Sequence, residues 1–235
     1  MKKLVMGLFG AVLLASSVVV SAAEVAGNVT LASDYRFRGI SQLKDSPSPA
    51  IQGGFDVDFG NGFYIGTWAS NVGNFSEGAI EIDYYGGYGG SLSDSVDYDV
   101  GLLYYSYPRD GFSDVDLDYY EVYGSIAWNS FTFGLNISPD YFAETDTFVY
   151  PYVDYGFDYD KLSFSLHFGY NSFEEKDFLG NDDSYIDFSA GVTTEAWGAE
   201  WGLAIVGTDL DDDDDCFGDE DLCSVTLVAS ISKSL

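Results

Sequence analysis

Leu162, Phe164, Leu166, Phe168 and Tyr170 alternate with Lys161, Ser163, Ser165, His167 and Gly169. A period of two sends successive side chains to opposite faces of a strand, so one face must meet an apolar medium and the other a polar one. The same alternation recurs along most of the chain after residue 23. Many such segments in series are the signature of a membrane-spanning β-barrel. No later apolar run approaches the ~20 residues of a spanning helix, so any membrane insertion must use strands.

The first residues set the compartment. Lys2 and Lys3 precede an apolar run over 4–20, and Ser21, Ala22 and Ala23 supply small residues before Glu24. This is the grammar of a secretory leader cleaved after Ala23, with a retained anchor helix as the alternative. The reading divides the chain into a signal peptide over 1–23 and one barrel domain over 24–235. Enrichment in Gly (27), Tyr (19) and Phe (18) suits strands with interfacial rings and close backbone packing rather than helices. A formal charge of −30 makes the chain a poor partner for nucleic acid.

Alternation read against turn signals gives twelve strands, at 25–37, 50–59, 63–70, 79–89, 96–107, 117–127, 131–138, 147–157, 161–170, 185–193, 197–206 and 224–234. Links after the even-numbered strands are short, and those after the odd-numbered strands are long. An even count with that asymmetry matches an outer-membrane barrel with short periplasmic turns and long extracellular loops. Pro151 removes a ladder donor from the eighth strand and predicts a bulge or local irregularity there.

Faces follow from the same alternation. On the first strand Val25, Val29, Leu31, Tyr35 and Phe37 oppose Asn28, Thr30, Asp34, Arg36 and Arg38. An unpaired charge facing lipid near the midplane costs about 2 to 4 kcal/mol for Lys or Arg, which turns the polar faces inward. The expected pore-lining residues are therefore Arg36, Arg38, Asp56, Asp58, Glu81, Asp83, Asp97, Asp99, His167, Asp187 and Glu200. Arg36 and Arg38 share a face beside Asp34, across from Asp56 and Asp58 in this reading. They either set a local field for solutes or only tie two strands together. The strands at 63–70, 117–127 and 147–157 resist a clear assignment, which leaves Tyr64 and Trp68 as candidates for an interior ring pair.

The stretch Ser33, Asp34, Tyr35, Arg36, Phe37, Arg38, Gly39, Ile40, Ser41, Gln42, followed by Pro49, Ala50, Ile51, Gln52, Gly53, Gly54, Phe55, Asp56, resembles the opening of the TorF family of porin-like proteins. The segments from Gly62 to Val72 and from Glu81 to Tyr88 resemble that family's next stretches, and the likeness returns at Ile231 to Ser234. The resemblance implies a proteobacterial outer-membrane barrel with a pore role. It brings no catalytic residues.

Other features carry paired readings. His167, the single His, shares a face with Ser163 and Ser165, as a hydrolytic site would need, but no orienting acid or oxyanion donor is identifiable and a lumen-facing His is the simpler reading. Asp211, Asp213, Asp215 and Asp219 are candidate Ca²⁺ ligands in an acidic loop that fits no EF-hand pattern and reads more simply as a solvated, self-repelling loop. Cys216 and Cys223, the two cysteines, sit in one loop of an exported chain and predict a disulfide. Tyr and Phe near strand ends read as interfacial girdles, with sugar-stacking platforms as the alternative.

These readings predict an outer-membrane channel in a Gram-negative cell. Small hydrophilic solutes would diffuse through it passively, with cations favoured by the carboxylate excess. A non-conducting barrel with ion- or partner-binding loops is the alternative. No enzyme activity or cofactor is implied, and the partners are outer-membrane lipid, lipopolysaccharide and the solutes. With twelve strands the lumen lies between filled eight-stranded barrels and ~16-stranded porins, so side chains or an inward loop can close it.

Overall fold

The computed structural model describes residues 23–43, 46–73, 80–108, 116–176, 178–179, 182–210 and 216–235. The leader proposed for 1–23 otherwise lies outside them. The strands are β1 (Glu24–Ala32), β2 (Arg36–Phe37), β3 (Ile40–Ser41), β4 (Ala50–Asp58), β5 (Phe63–Asn71), β6 (Ile80–Ser93) and β7 (Val96–Ser106). They continue as β8 (Tyr119–Trp128), β9 (Phe131–Ser138), β10 (Phe148–Tyr159), β11 (Leu162–Phe173), β12 (Ser184–Ala196), β13 (Ala199–Thr208) and β14 (Thr226–Ser234). Sequence neighbours from β4 to β14 pair antiparallel, and β1 closes the cylinder by pairing with both β4 and β14. The result is a closed barrel of twelve strands among the described residues, with β2 and β3 forming a separate hairpin.

Alternation places the apolar residues on the outer wall, where Val100, Leu102, Val122, Ile126, Phe133, Leu135, Leu166 and Phe168 are all exposed. Aromatic rings bound this belt at both ends. Toward the long loops Tyr84, Tyr104 and Tyr120 stand directly opposite one another on β6, β7 and β8, while Trp128, Phe131, Phe157 and Trp201 lie toward the short turns. A greasy band between two aromatic rows fits the two interfaces of a bilayer.

The short turns are tight because the strands run further than the sequence reading placed them. β12 reaches Ala196, so Trp197 and Gly198 form a two-residue turn with φ of 54° and 76°. Both residues need positive φ in the turn class whose twist matches paired strands. Trp197 is thus a fully exposed turn residue and not the first residue of a strand. Pro151 produces no bulge. β10 keeps one register with β9, and its ladder with β11 skips 150–151 and resumes in the same register at Tyr152 opposite Gly169. A missing donor interrupts pairing with one neighbour only. Among the described residues a register shift occurs at Ser91/Ser93, beside the turn joining β6 and β7.

Inside, glycine and tyrosine meet across neighbouring strands. Gly66 stands opposite Tyr85, Gly87 opposite Tyr64, Gly101 opposite Tyr123, and Gly134 opposite Tyr152. At each of these glycines a Cβ would collide with the facing tyrosine ring or its hydroxyl. The missing side chain lets the phenol lie flat along the wall rather than project across the lumen. Much of the glycine surplus therefore serves the inner surface.

Candidate functional site

β1 leaves the wall at Ala32, five residues earlier than alternation alone suggested, and residues 33–43 fold into the barrel at the long-loop end. Alternating side chains do continue to Phe37, but in a hairpin instead of the barrel wall. Arg38 (φ 47°) and Gly39 (φ 83°) form its two-residue turn between β2 and β3. A Cβ at Gly39 would crowd the Thr208 methyl and the Gly207 carbonyl, so the tip presses on β13 and only glycine fits there.

Arg36 secures the hairpin's base. Its Nε donates to Asp34 at 2.6 Å, its Nη1 to the carbonyls of Leu222 (2.7 Å) and Ser224 (3.0 Å), and its Nη2 to the hydroxyls of Ser46 and Thr226, both at 2.8 Å. A planar fork with five donors suits such a junction better than a lysine ammonium. Asp34 also accepts from Ser41 and Ser46, so this buried pair is well matched.

Arg38 reaches the opposite wall. Its Nη2 donates to Glu121 Oε2 at 2.8 Å, and its guanidinium lies 4.6, 4.7 and 4.3 Å from the ring centroids of Phe37, Phe148 and Tyr150. Cation–π contacts and a buried ion pair together hold the tip. Tyr185 donates to the Arg38 carbonyl at 3.0 Å, Phe37 packs edge-on to Tyr105 at 5.6 Å, and Tyr35 packs on Trp68 at 5.3 Å. The hairpin thus touches β5, β7, β8, β10, β12, β13 and β14. Tyr141, from the loop after β9, stacks on Phe148 at 4.2 Å above the pair. Burial pushes its phenol up to about 12, with the Arg38 guanidinium pulling the other way, and the phenol stays neutral.

This geometry corrects the placement of Arg36 and Arg38. Neither is on the barrel wall, and neither faces Asp56 or Asp58. The register sets Ala50 opposite Ala32 and Asp58 opposite Glu24, so those two carboxylates lie toward the other end of the barrel. Asp56 accepts from the Tyr85 hydroxyl, and Asp58 caps the 60–62 turn through the Gly60 amide at 2.7 Å. The partner of Arg38, Glu121, is not among the sequence candidates because Tyr119 and Tyr123 flank it on a strand rich in rings on both faces. Its charge was the available signal, since a lone carboxylate in a spanning strand has to face inward.

The other acids divide by depth. Glu81, Asp83 and Asp187 are buried at the hairpin's level, and Glu81 accepts the Tyr35 hydroxyl at 2.6 Å. Asp99 lies lower, accepting from Tyr64 at 2.7 Å, where Tyr64 also bonds Tyr123. Asp97 takes the Ser91 hydroxyl at 2.5 Å and Glu200 is exposed near the short turns. Tyr64 and Trp68 both face inward but engage different partners and not each other. His167 is held between Asp154 at 2.6 Å and Asp187 at 3.0 Å, with Tyr150 at 2.7 Å. Ser163 donates away from it to Asp158 at 2.8 Å. Asp154 is a second lumen acid that the sequence hides, among five rings from Tyr150 to Tyr159 inclusive.

Cys216 and Cys223 are joined in a disulfide, with Cα atoms 5.9 Å apart. The bridge sits beside Leu222 and Ser224, whose carbonyls bind Arg36. Asp219 accepts from the Asp221 amide at 3.1 Å, while Asp211, Asp213 and Asp215 lie outside the described residues. Among the described residues no three His, Cys, Asp or Glu side chains come together as a metal site.

Comparison with solved structures finds the same architecture. A structure titled as the NanC porin is 12% identical, with 89% of this chain and 98% of that chain covered and a TM-score of 0.53. A structure from a study of in-meso crystallization of membrane proteins is 9% identical, covering 90% and 83% of the two chains, with a TM-score of 0.51. Both likenesses concern the fold. No curated protein matches the chain. The resemblance to the TorF family rests on the residues quoted above and on no comparison. The family model described as a bacterial protein of unknown function, Gcw_chp, matches residues 17–235, and the chain belongs to that family.

Proposed function

We propose that this protein is an outer-membrane channel of a Gram-negative cell through which small hydrophilic solutes diffuse, with the inward hairpin as its selectivity constriction. The observation that carries the reading is the polarity of the closed barrel: an apolar belt between aromatic rows outside, and Asp56, Asp99, Asp154 and His167 inside. A lumen lined by charges can pass hydrated solutes, while a filled apolar interior cannot. The fold shared with a structure titled as a porin supports the same reading. Lipopolysaccharide and lipid are its surroundings, and the excess of lumen carboxylates favours cations. Planar-bilayer recording of the refolded protein tests this: discrete, ohmic current steps are expected, with a reversal potential of cationic sign in a salt gradient.

One observation favours a second reading. The hairpin contacts strands all round the barrel and its residues are almost wholly buried, as in a non-conducting barrel or one shut at rest. Replacing residues 34–42 with a short Gly/Ser link separates the two. A channel constricted by the hairpin gives larger unit steps in the variant, and a barrel closed at rest conducts only in the variant.

A further inference from the structure

Each buried arginine of the hairpin is matched by one carboxylate, Arg36 by Asp34 at 2.6 Å and Arg38 by Glu121 at 2.8 Å. Glu81 and Asp83, two residues apart on the inward face of β6, pair with no Lys or Arg among the described residues. Glu81 accepts the Tyr35 hydroxyl. Asp83 is 8% exposed, and no donor reaches its buried Oδ1. Glu121 Oε1, on the inner wall two strands away, is likewise buried without a donor. Burying a carboxylate without a partner costs several kcal/mol, and nearby Asp34 shows that this interior can match an acid fully.

The neighbours of Asp83 supply the other half of the argument. In register it stands directly between Trp68 on β5 and Tyr105 on β7, both facing inward. An unmatched carboxylate flanked by rings is the chemistry that holds an organic cation, with the charge on the acid and Trp68 beside it, while Tyr105, stacked on Tyr119 at 4.3 Å, walls the other side. A bare metal ion wants more oxygens, and no metal-type cluster occurs among the described residues. Position fits as well: exposure rises along this face from Glu81 (1%) to Asp83 (8%) to the half-buried Tyr85. Asp83 therefore lies where the packed long-loop half meets the more open half below.

We propose that Asp83, assisted by Glu81 and Glu121, binds the ammonium or guanidinium head of a small organic solute between Trp68 and Tyr105. Its place in transport rests on the diffusion reading above, but the binding is measured without transport. The experiment is thermal denaturation and titration calorimetry of the full chain refolded in detergent. Ethylammonium and methylguanidinium chloride are the probes, with sodium chloride at equal ionic strength as reference. Saturable binding and a rise in melting temperature are expected for both organic cations and not for sodium. Asp83→Asn keeps the shape and removes the charge, so it should weaken binding at least about tenfold, the loss of one charge-assisted hydrogen bond. Glu81→Gln, which retains an acceptor for Tyr35, should weaken it less and serves if the first variant fails to fold. Unsaturable binding, an equal response to sodium, or unchanged affinity in both variants overturns the site. So does a wild-type protein that binds neither probe while Asp83→Asn melts unchanged, the behaviour of a protonated, merely structural carboxyl. Recording from the same preparations keeps the two proposals apart. Current without saturable binding removes only the site, and binding without current removes only the channel.

Discussion

Arg38 and Glu121 meet at 2.8 Å inside the barrel although 83 positions separate them, and both side chains are almost completely buried. The pair fixes the hairpin tip to β8. Removing one member leaves the other charge buried and alone, which costs about 3 to 5 kcal/mol, more than the pair itself contributes over an apolar substitute. Glu121→Ala is therefore expected to lower the denaturation midpoint strongly and to raise conductance by freeing the tip. Arg38→Met with Glu121→Leu should recover much of the stability while keeping the higher conductance. Equal stability of the single and double variants would show that the pair is not the latch.

The glycine–tyrosine contacts give a test of a different kind. Gly134→Ala places a methyl against the Tyr152 ring and should push it off the wall into the lumen. Overpacking of this sort costs about 1 to 3 kcal/mol. Adding Tyr152→Ala should relieve the strain, so the double variant is expected to be more stable than Gly134→Ala alone. Unfolding in urea with lipid vesicles present measures both.

The wall of this barrel was legible because lipid imposes one rule on every spanning strand, and a period of two records it directly. All twelve wall strands lie where alternation places them, to within four residues at their ends except for β1, which leaves the wall five residues early at Ala32. The hairpin was not legible, because residues 33–37 alternate as well as any strand. The departure at Ala32 is set by distant partners, Glu121 on β8 and the carbonyls of Leu222 and Ser224, which no local pattern contains. For the same reason the alternation marks Arg36 and Arg38 as inward charges and sets Arg36 beside its partner Asp34, but does not contain Glu121, the partner of Arg38. Glu121 and Asp154 went unnoticed because tyrosines, apolar by count yet comfortable on either face, blur the alternation around them.

The disulfide and the hairpin share a structural element, since Arg36 binds carbonyls on either side of Cys223. Closing so short a loop stabilises by about 2 kcal/mol in the chain-entropy account. Cys216→Ser with Cys223→Ser should lower the melting temperature modestly and increase current noise as Arg36 loses fixed acceptors. Hydrogen exchange at the amides of 33–43 should quicken in the variant, and exchange unchanged there would uncouple the bridge from the hairpin.

Selectivity should depend on the carboxylates that remain wet. Below the hairpin the wall carries the partly exposed Asp56 and Asp154, while Asp99 is buried behind Tyr64 and the described lysines at this end, Lys161 and Lys233, sit at or beside the short turns. A charged wall attracts counter-ions only within a screening length, about 10 Å at 0.1 M salt and about 3 Å at 1 M. Cation preference is therefore expected to be strong in dilute salt and to fade toward molar concentration, whereas selection by width alone would not change. Asp56→Asn with Asp154→Asn should move the dilute-salt reversal potential toward zero, and the same pair of changes should have little effect at 1 M. Asp154 also holds His167, so Asp56→Asn alone is the control that separates wall charge from a disturbed histidine. A reversal potential that ignores both salt and these substitutions would assign selection to the hairpin's buried charges instead of the open wall.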